Sequence, residues 1–176
     1  EVGVAQFTPP EIQHSKDFRM LRLENHDNFG LAILIFLILF MGRHPYSGVF
    51  HGREDMPIEK AIGEYRFAFG KTARYKLMSP PPNSVDMSIV PKEVSDLFEQ
   101  AFTETGARPE GRPTAENWWA QLNTLEKRLK VCRAESSHAY FAGLVSCPWC
   151  SLENESGILL FLSADSISKI DLTKEW

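Results

Sequence analysis

The chain has 176 residues and a mass of 20.0 kDa, room for one domain or one domain with a small appendage. Hydrophobic residues make up 43% and charged residues 24%, which excludes wholesale disorder, collagen and low-complexity chains. The 19 Lys+Arg against 23 Asp+Glu leave a net charge of −4, so no global field draws the chain to nucleic acid or anionic lipid.

Residues 1–28 read as polar and irregular, broken at Pro9-Pro10. The uncharged run Phe29–Met41 follows, closed off by Asp27 and Arg43. It holds 13 residues, where a membrane-spanning helix needs about 20 and at least about 17. A helix apolar on all sides and too short to span belongs in the middle of a core, with a membrane anchor as the competing reading. His44-Pro45 and Gly48 end it, and residues 49–56 read as loop. Pro57, Ile58, Ala61, Ile62 and Tyr65 predict a short amphipathic helix to about Phe69. Ser79-Pro80-Pro81-Pro82-Asn83 marks 70–91 as loop. Pro91–Phe102 is helical again, with Val94, Leu97, Phe98, Ala101 and Phe102 on one face and Ser95 as its expected cap.

From Thr114 to about Val131 the spacing of Trp118, Leu122, Leu125 and Leu129 predicts a longer helix. Thr114 and Asn117 form only part of a capping box, because the acidic residue falls one position early at Glu116. Lys127, Arg128 and Lys130 then suit the negative end of that helix. They form the one basic cluster, with Arg133, and a helix end explains them better than nucleic acid does. Beyond Cys132 the pattern changes to a β-rich stretch with a strand expected at Ile158–Leu162. Residues 163–176 carry no clear assignment.

The most specific chemical signal is Cys132-x5-His138-x8-Cys147-Pro148-Trp149-Cys150. Cys-x2-Cys on a tight turn sets two thiolates on one side of a metal, and a Cys and a His ahead of it complete a tetrahedral set. Such a set leaves no open position, so the reading is a structural zinc site that stabilises a small core. A redox dithiol and three unrelated cysteines are the alternatives; His138 can also be a surface residue, leaving three cysteines and a different fourth ligand. Three cysteines are too few for a disulfide scaffold. Trp149 is expected to pack on the preceding helix. His14, His26, His44 and His51 show no ligand pattern and read as structural or solvated. The chain opens without Met or a secretory signal and stops at Trp176, so it reads as a fragment, expected in the cytoplasm.

Four short motifs fall in an informative order. Thr8-Pro9-Pro10-Glu11 resembles the A-P-E segment of protein kinases. Asp27-Asn28-Phe29-Gly30-Leu31 resembles the D-x-W-S-x-G start of the central helix of their C-terminal lobe, and Gly42-Arg43-His44-Pro45-Tyr46 its G-x-x-P-F exit. Arg112-Pro113-Thr114-Ala115 resembles the R-P-(S/T)-A opening of the last kinase helix. Residues 1–131 thus resemble the C-terminal lobe of bacterial eukaryote-like Ser/Thr protein kinases, from the end of the activation segment onward. Residues 132–176 resemble the zinc-ribbon-like segment that follows in some of them. The resemblance implies a mainly α fold, helices around a buried central helix, with a small β-rich appendage.

It also implies roles. Glu11 would pair with Arg112 to tie the activation segment to the last helices. Asp27 would accept hydrogen bonds from the catalytic-loop backbone of a complete kinase, although its position also permits a helix N-cap. Gly3, Val4, Phe7 and Thr8 would form a wall beside a substrate peptide. The glycine-rich loop, β3 Lys, H-R-D and D-F-G are not in these 176 residues, so ATP and Mg²⁺ belong to an intact parent and the chain alone is not expected to transfer phosphate. Val4 also stands where active members usually carry Thr. The implied function is the substrate-side lobe of a Ser/Thr kinase-like protein acting on a protein substrate. The alternative is a zinc-stabilised, non-catalytic pseudokinase scaffold or interaction module. With the rest of the kinase absent, one side of the central helix is expected to be uncovered, calling for the N-terminal half of the kinase domain or a homodimer partner.

Overall fold

A computed structural model describes residues 4–13 and 22–161. Gly3, His14, Leu162 and residues 163–176 lie outside the described residues, so the expectations placed on them are not addressed. Helix α1, Glu24–Leu39, is the axis of the molecule. It starts earlier than the apolar run because Asn25, His26 and Asn28 are buried in its first turns. Leu23 at the N-cap offers no side-chain acceptor; the Nδ1 of His26 instead accepts its backbone N–H at 3.2 Å. Asp27 lies inside the helix, so it is not the N-cap. Met41 and Gly42 adopt left-handed backbone just past the last turn and end α1 ahead of His44-Pro45.

Phe29, Ala32, Ile33, Phe36 and Phe40 line the buried side of α1. Phe36 is the hub of an aromatic cluster: it stacks on Phe40 and meets Phe67, Phe69, Phe98 and Phe102 edge-on, with centroids 5.0–5.9 Å away. On the opposite side Leu34 is 50% exposed and Ile38 76%.

Two short strands occupy segments expected to be loop. Strand β1, Val49–Phe50, pairs antiparallel with β2, Met78–Ser79. Gly48 makes this approach possible: a Cβ there would lie 2.4 Å from the Ser79 carbonyl oxygen. Helix α2, Ile58–Gly63, is half the expected length. Tyr65 takes a left-handed backbone and breaks it, yet Phe67, Ala68 and Phe69 still reach the core. Helix α3, Lys92–Phe102, has Pro91 at its N-cap, so Ser95 lies inside it rather than capping it. The Tyr46 hydroxyl donates to the carbonyl of Phe102 at 2.8 Å, satisfying one of the acceptors left at the end of α3.

Helix α4, Ala115–Glu126, does have a reciprocal capping box: the Asn117 N–H points to Thr114 Oγ1, and the Thr114 N–H donates to Asn117 Oδ1 at 2.9 Å. Asparagine thus does the work expected of the acid. The helix stops at Glu126, not near Val131. Strand β3, Leu129–Val131, instead pairs antiparallel with β4, Ala139–Phe141, as a hairpin crossing the expected boundary at 131/132. The basic cluster is therefore not a helix end. Lys130 Nζ donates to the carbonyls of Ala142 and Leu144, and Arg128 lies over the Phe141 ring.

Helix α5, Pro148–Ser156, opens at the second half of the Cys/His motif, with Cys147 at its N-cap and Pro148 in the first turn. Among the described residues the appendage is therefore one hairpin and one helix, less β-rich than expected. Residues 158–161 form no strand; they run as coil beside α5. Among the described residues no helix is long and apolar enough to cross a membrane.

Candidate functional site

The Cys/His cluster is built by three local structures. Cys132 follows β3, His138 precedes β4, and α5 supplies Cys147 and Cys150 across its first turn. The Cys132 N–H donates to the His138 carbonyl at 2.8 Å, extending the hairpin and bringing both residues to one end of it. The four ligand atoms lie within 4.8 Å of one another. Cys132 and Cys150 sulfurs are 3.7 Å apart, and His138 Nδ1 is 3.6 Å from the Cys147 sulfur and 3.4 Å from that of Cys150.

These spacings fit a tetrahedral centre. Zn–S bonds of about 2.3 Å and a Zn–N bond of about 2.0–2.1 Å put sulfur–sulfur edges near 3.8 Å and sulfur–nitrogen edges near 3.6 Å. A disulfide needs about 2.05 Å, and all three cysteines are free. His138 is fully buried. Its Nε2 lies 3.2 Å from Glu153 Oε2 but finds no aligned hydrogen-bond partner. The donor set and this geometry can hold a metal ion. In the metal-free thiols the environments differ. Backbone N–H groups of Ala134 and then Glu135 hold the Cys132 thiol below its ordinary value. Burial first, and the neighbouring sulfurs second, push that of Cys150 up to about 12.

Trp149 belongs to the same buried cluster as Trp118 and Leu125 of α4. Its Nε1 donates to the Ala139 carbonyl at 2.7 Å, and its ring lies 5.3 Å from that of Phe161.

A second site sits at the start of α1. The Arg112 side chain is fully buried and forms a two-pronged pair with Glu11: Nη1 to Oε1 at 2.5 Å and Nη2 to Oε2 at 2.9 Å. Nη1 also donates to the Asn25 carbonyl at 3.0 Å and Nε to that of Ala101 at 3.3 Å, while the guanidinium lies 4.9 Å from the Phe29 ring centre. Asn25 completes the arrangement. Its Oδ1 accepts the Arg112 N–H, and its Nδ2 donates to the carbonyls of Gly106 and Arg108. Nothing in the sequence marked Asn25, since an Asn near a helix start reads equally well as a cap.

Val4, Phe7, Thr8 and Asp27 face one groove of about 450 Å³ between the first segment and α1, which also takes in Leu31 and Leu34. Val4 and Asp27 are exposed. Thr8 Oγ1 donates to the Val4 carbonyl at 3.1 Å, and Asp27 makes no hydrogen bond among the described residues. His44 fastens this wall to the exit of α1. Its Nδ1 accepts the Tyr46 N–H and its Nε2 donates to the Gln6 carbonyl at 3.0 Å. Burial lowers its pKa, outweighing the bond to Gln6 that raises it. His51 bonds Ser79 Oγ at the surface.

Compared with known proteins, the chain is 46% identical over 164 residues to a protein named Protein kinase YegI from Escherichia coli (strain K12), and 44% identical to the protein of that name from Escherichia coli O157:H7. Each match covers 92% of this chain and 25% of the relative. The chain thus spans about a quarter of the length of the curated relatives it matches. No family model matches it, and no solved structure matches it.

Proposed function

We propose that this chain is the substrate-side lobe of a Ser/Thr protein kinase-like protein, joined through β3 and β4 to a structural zinc unit. The observation that carries this reading is the pair between Glu11 and the fully buried Arg112 guanidinium. It spans 101 positions and fastens the first described segment to the base of a buried central helix. Its two residues lie in the motifs that resemble A-P-E and R-P-(S/T)-A, and the relatives named as protein kinases support the same reading. In this role Asp27 and the wall at Val4, Phe7 and Thr8 face the catalytic loop and the substrate peptide. The groove over Leu31 and Leu34 receives the N-terminal half of the kinase domain or a second copy. ATP and Mg²⁺ are bound elsewhere in the longer protein, and zinc, held by Cys132, His138, Cys147 and Cys150, is structural because the donor set is closed.

The test is phosphate transfer by the intact parent. Incorporation from labelled ATP onto Ser or Thr, reduced by Glu11→Ala, supports the lobe. Val4, at the position where active kinases usually carry Thr, favours the second reading, a non-catalytic scaffold. An intact, folded parent that transfers no phosphate under Mg²⁺-ATP assigns the chain to that class and overturns the enzyme reading.

A further inference from the structure

The edge of His138 that faces away from the sulfurs is fully enclosed. The ring presents Nδ1 to Cys147 and Cys150. Its Nε2 is buried, has no hydrogen-bond partner, and lies 3.2 Å from Glu153 Oε2. Glu153 stands three residues beyond Cys150 on α5, one turn along the same face. Its other oxygen accepts the backbone N–H of Leu160 at 2.7 Å and that of Phe161 at 3.4 Å. The Phe161 ring lies edge-on to His138, centroids 5.1 Å apart, and against Trp149. Gly157, in left-handed backbone at the end of α5, turns the chain back so that residues 158–161 can lie there.

One carboxylate therefore stands between two things: it bonds the backbone of the following segment and lies 3.2 Å from the imidazole of the Cys/His cluster. A carboxylate on the distal nitrogen of a metal-bound imidazole fixes the tautomer that leaves the other nitrogen free to ligate, and it raises that nitrogen's basicity. Here it also needs a partner, because an unpaired buried Nε2–H or carboxylate is costly.

We propose that Glu153 is a positioning residue of the Cys/His site, and that it couples metal binding to the docking of residues 158–161. This rests on the metal reading of the cluster. A metal on Nδ1 sets the Nε2–H toward Oε2, which orients the carboxylate so that its second oxygen holds the Leu160 amide. The segment following α5 is thereby docked in the loaded protein and released from the stripped one.

The experiment uses Co²⁺ on the chain, with affinity read by chelator competition, ligand set by the visible absorption of tetrahedral Co²⁺, and docking by hydrogen exchange at the Leu160 and Phe161 amides. Glu153→Ala is expected to weaken Co²⁺ binding by about 10–100-fold, with the tetrahedral spectrum kept and both amides exchanging fast even when loaded. Should that variant not fold, Glu153→Gln carries the same test. Its amide can serve the Leu160 N–H only by setting NH₂ against Nε2–H, so affinity falls in the same direction. In the wild type, removing Co²⁺ is expected to speed exchange at both amides. Unchanged affinity in the folded variants, or equal protection with and without metal, overturns the proposal and leaves the four-ligand site standing. A folded wild-type chain that takes up no Co²⁺ overturns both.

Discussion

Replacing Glu11 with Ala leaves the Arg112 guanidinium in place without its counter-charge. The side chain has no exposure to solvent while Glu11 covers it, so the lost carboxylate can be replaced only by such water as enters the space it vacates. Nη1 keeps the Asn25 carbonyl and Nε keeps that of Ala101, but Nη2 loses its acceptor and the net charge stays buried. The Phe29 face offers a weak electrostatic substitute. Breaking one partner of a buried pair in this way costs about 3–5 kcal/mol, a large share of the roughly 5–15 kcal/mol that holds a domain folded. Arg112→Met behaves differently. It removes the charge, and Glu11, with 22% of its side chain exposed, can turn to water. What remains is the loss of donors to two carbonyls, about 1–3 kcal/mol for a buried group left unpaired, partly offset by apolar packing. Urea unfolding with metal held saturating gives both single variants and the double one. The expected order has Glu11→Ala as the most damaging, with the double variant closer to Arg112→Met than to the sum of the two. If Glu11→Ala costs less than about 1 kcal/mol, or Arg112→Met costs more than it, the argument from one-sided burial fails.

Purified chain should carry one zinc, lost in Cys147→Ser and in Cys150→Ser, as read by metal analysis; a folded metal-free wild type would contradict this. After metal is stripped, Cys132 should be alkylated first and Cys150 last near neutral pH, because the backbone N–H groups favour the Cys132 thiolate and burial disfavours that of Cys150. Peptide mapping after brief iodoacetamide treatment reads the order. His44 has a folded pKa below its unfolded value, so the unfolded chain binds the proton more readily. Its contribution is present above about pH 6.5 and is lost as the pH falls through that value, so unfolding free energy should rise from pH 5 to 7. His44→Gln, whose amide can still donate to Gln6, should flatten that rise. Phe36→Ala should cost about 3–5 kcal/mol, whereas Ile38→Ala, at 76% exposure, should stay within about 0.5 kcal/mol.

How much was legible depended on whether a signal was local. The helical run at Phe29–Met41 announced itself by composition, and the stripe Val94, Phe98, Ala101, Phe102 by its period. The Cys/His spacing was equally local, because a hairpin and one helix turn bring those four residues together over 19 positions. The end of α4 was missed because Leu129 continues the apolar period while β4, ten residues later, captures the backbone for a strand. The strand expected at Ile158–Leu162 has the right composition, but residues 158–161 pair with no described strand; the amides of Leu160 and Phe161 go to Glu153 instead. Glu153 and Asn25 carry no signal in the sequence, because a polar residue on a helix shows its partner only when the chain is folded.

The sequence by itself settled the core of three helices, at residues 29–39, 92–102 and 115–126, and which four residues are spaced for a metal. Only the tertiary structure decided which side of α1 is buried, since a helix apolar all round has no period to announce a face. Glu11 was expected as the partner of Arg112 only through the resemblance of two motifs 101 positions apart, and the carbonyls of Asn25 and Ala101 that share the guanidinium were undecided until the chain closed, because such contacts leave no mark on the local sequence. Burial and long-range pairing are properties of the closed chain, whereas propensity and spacing act before it closes.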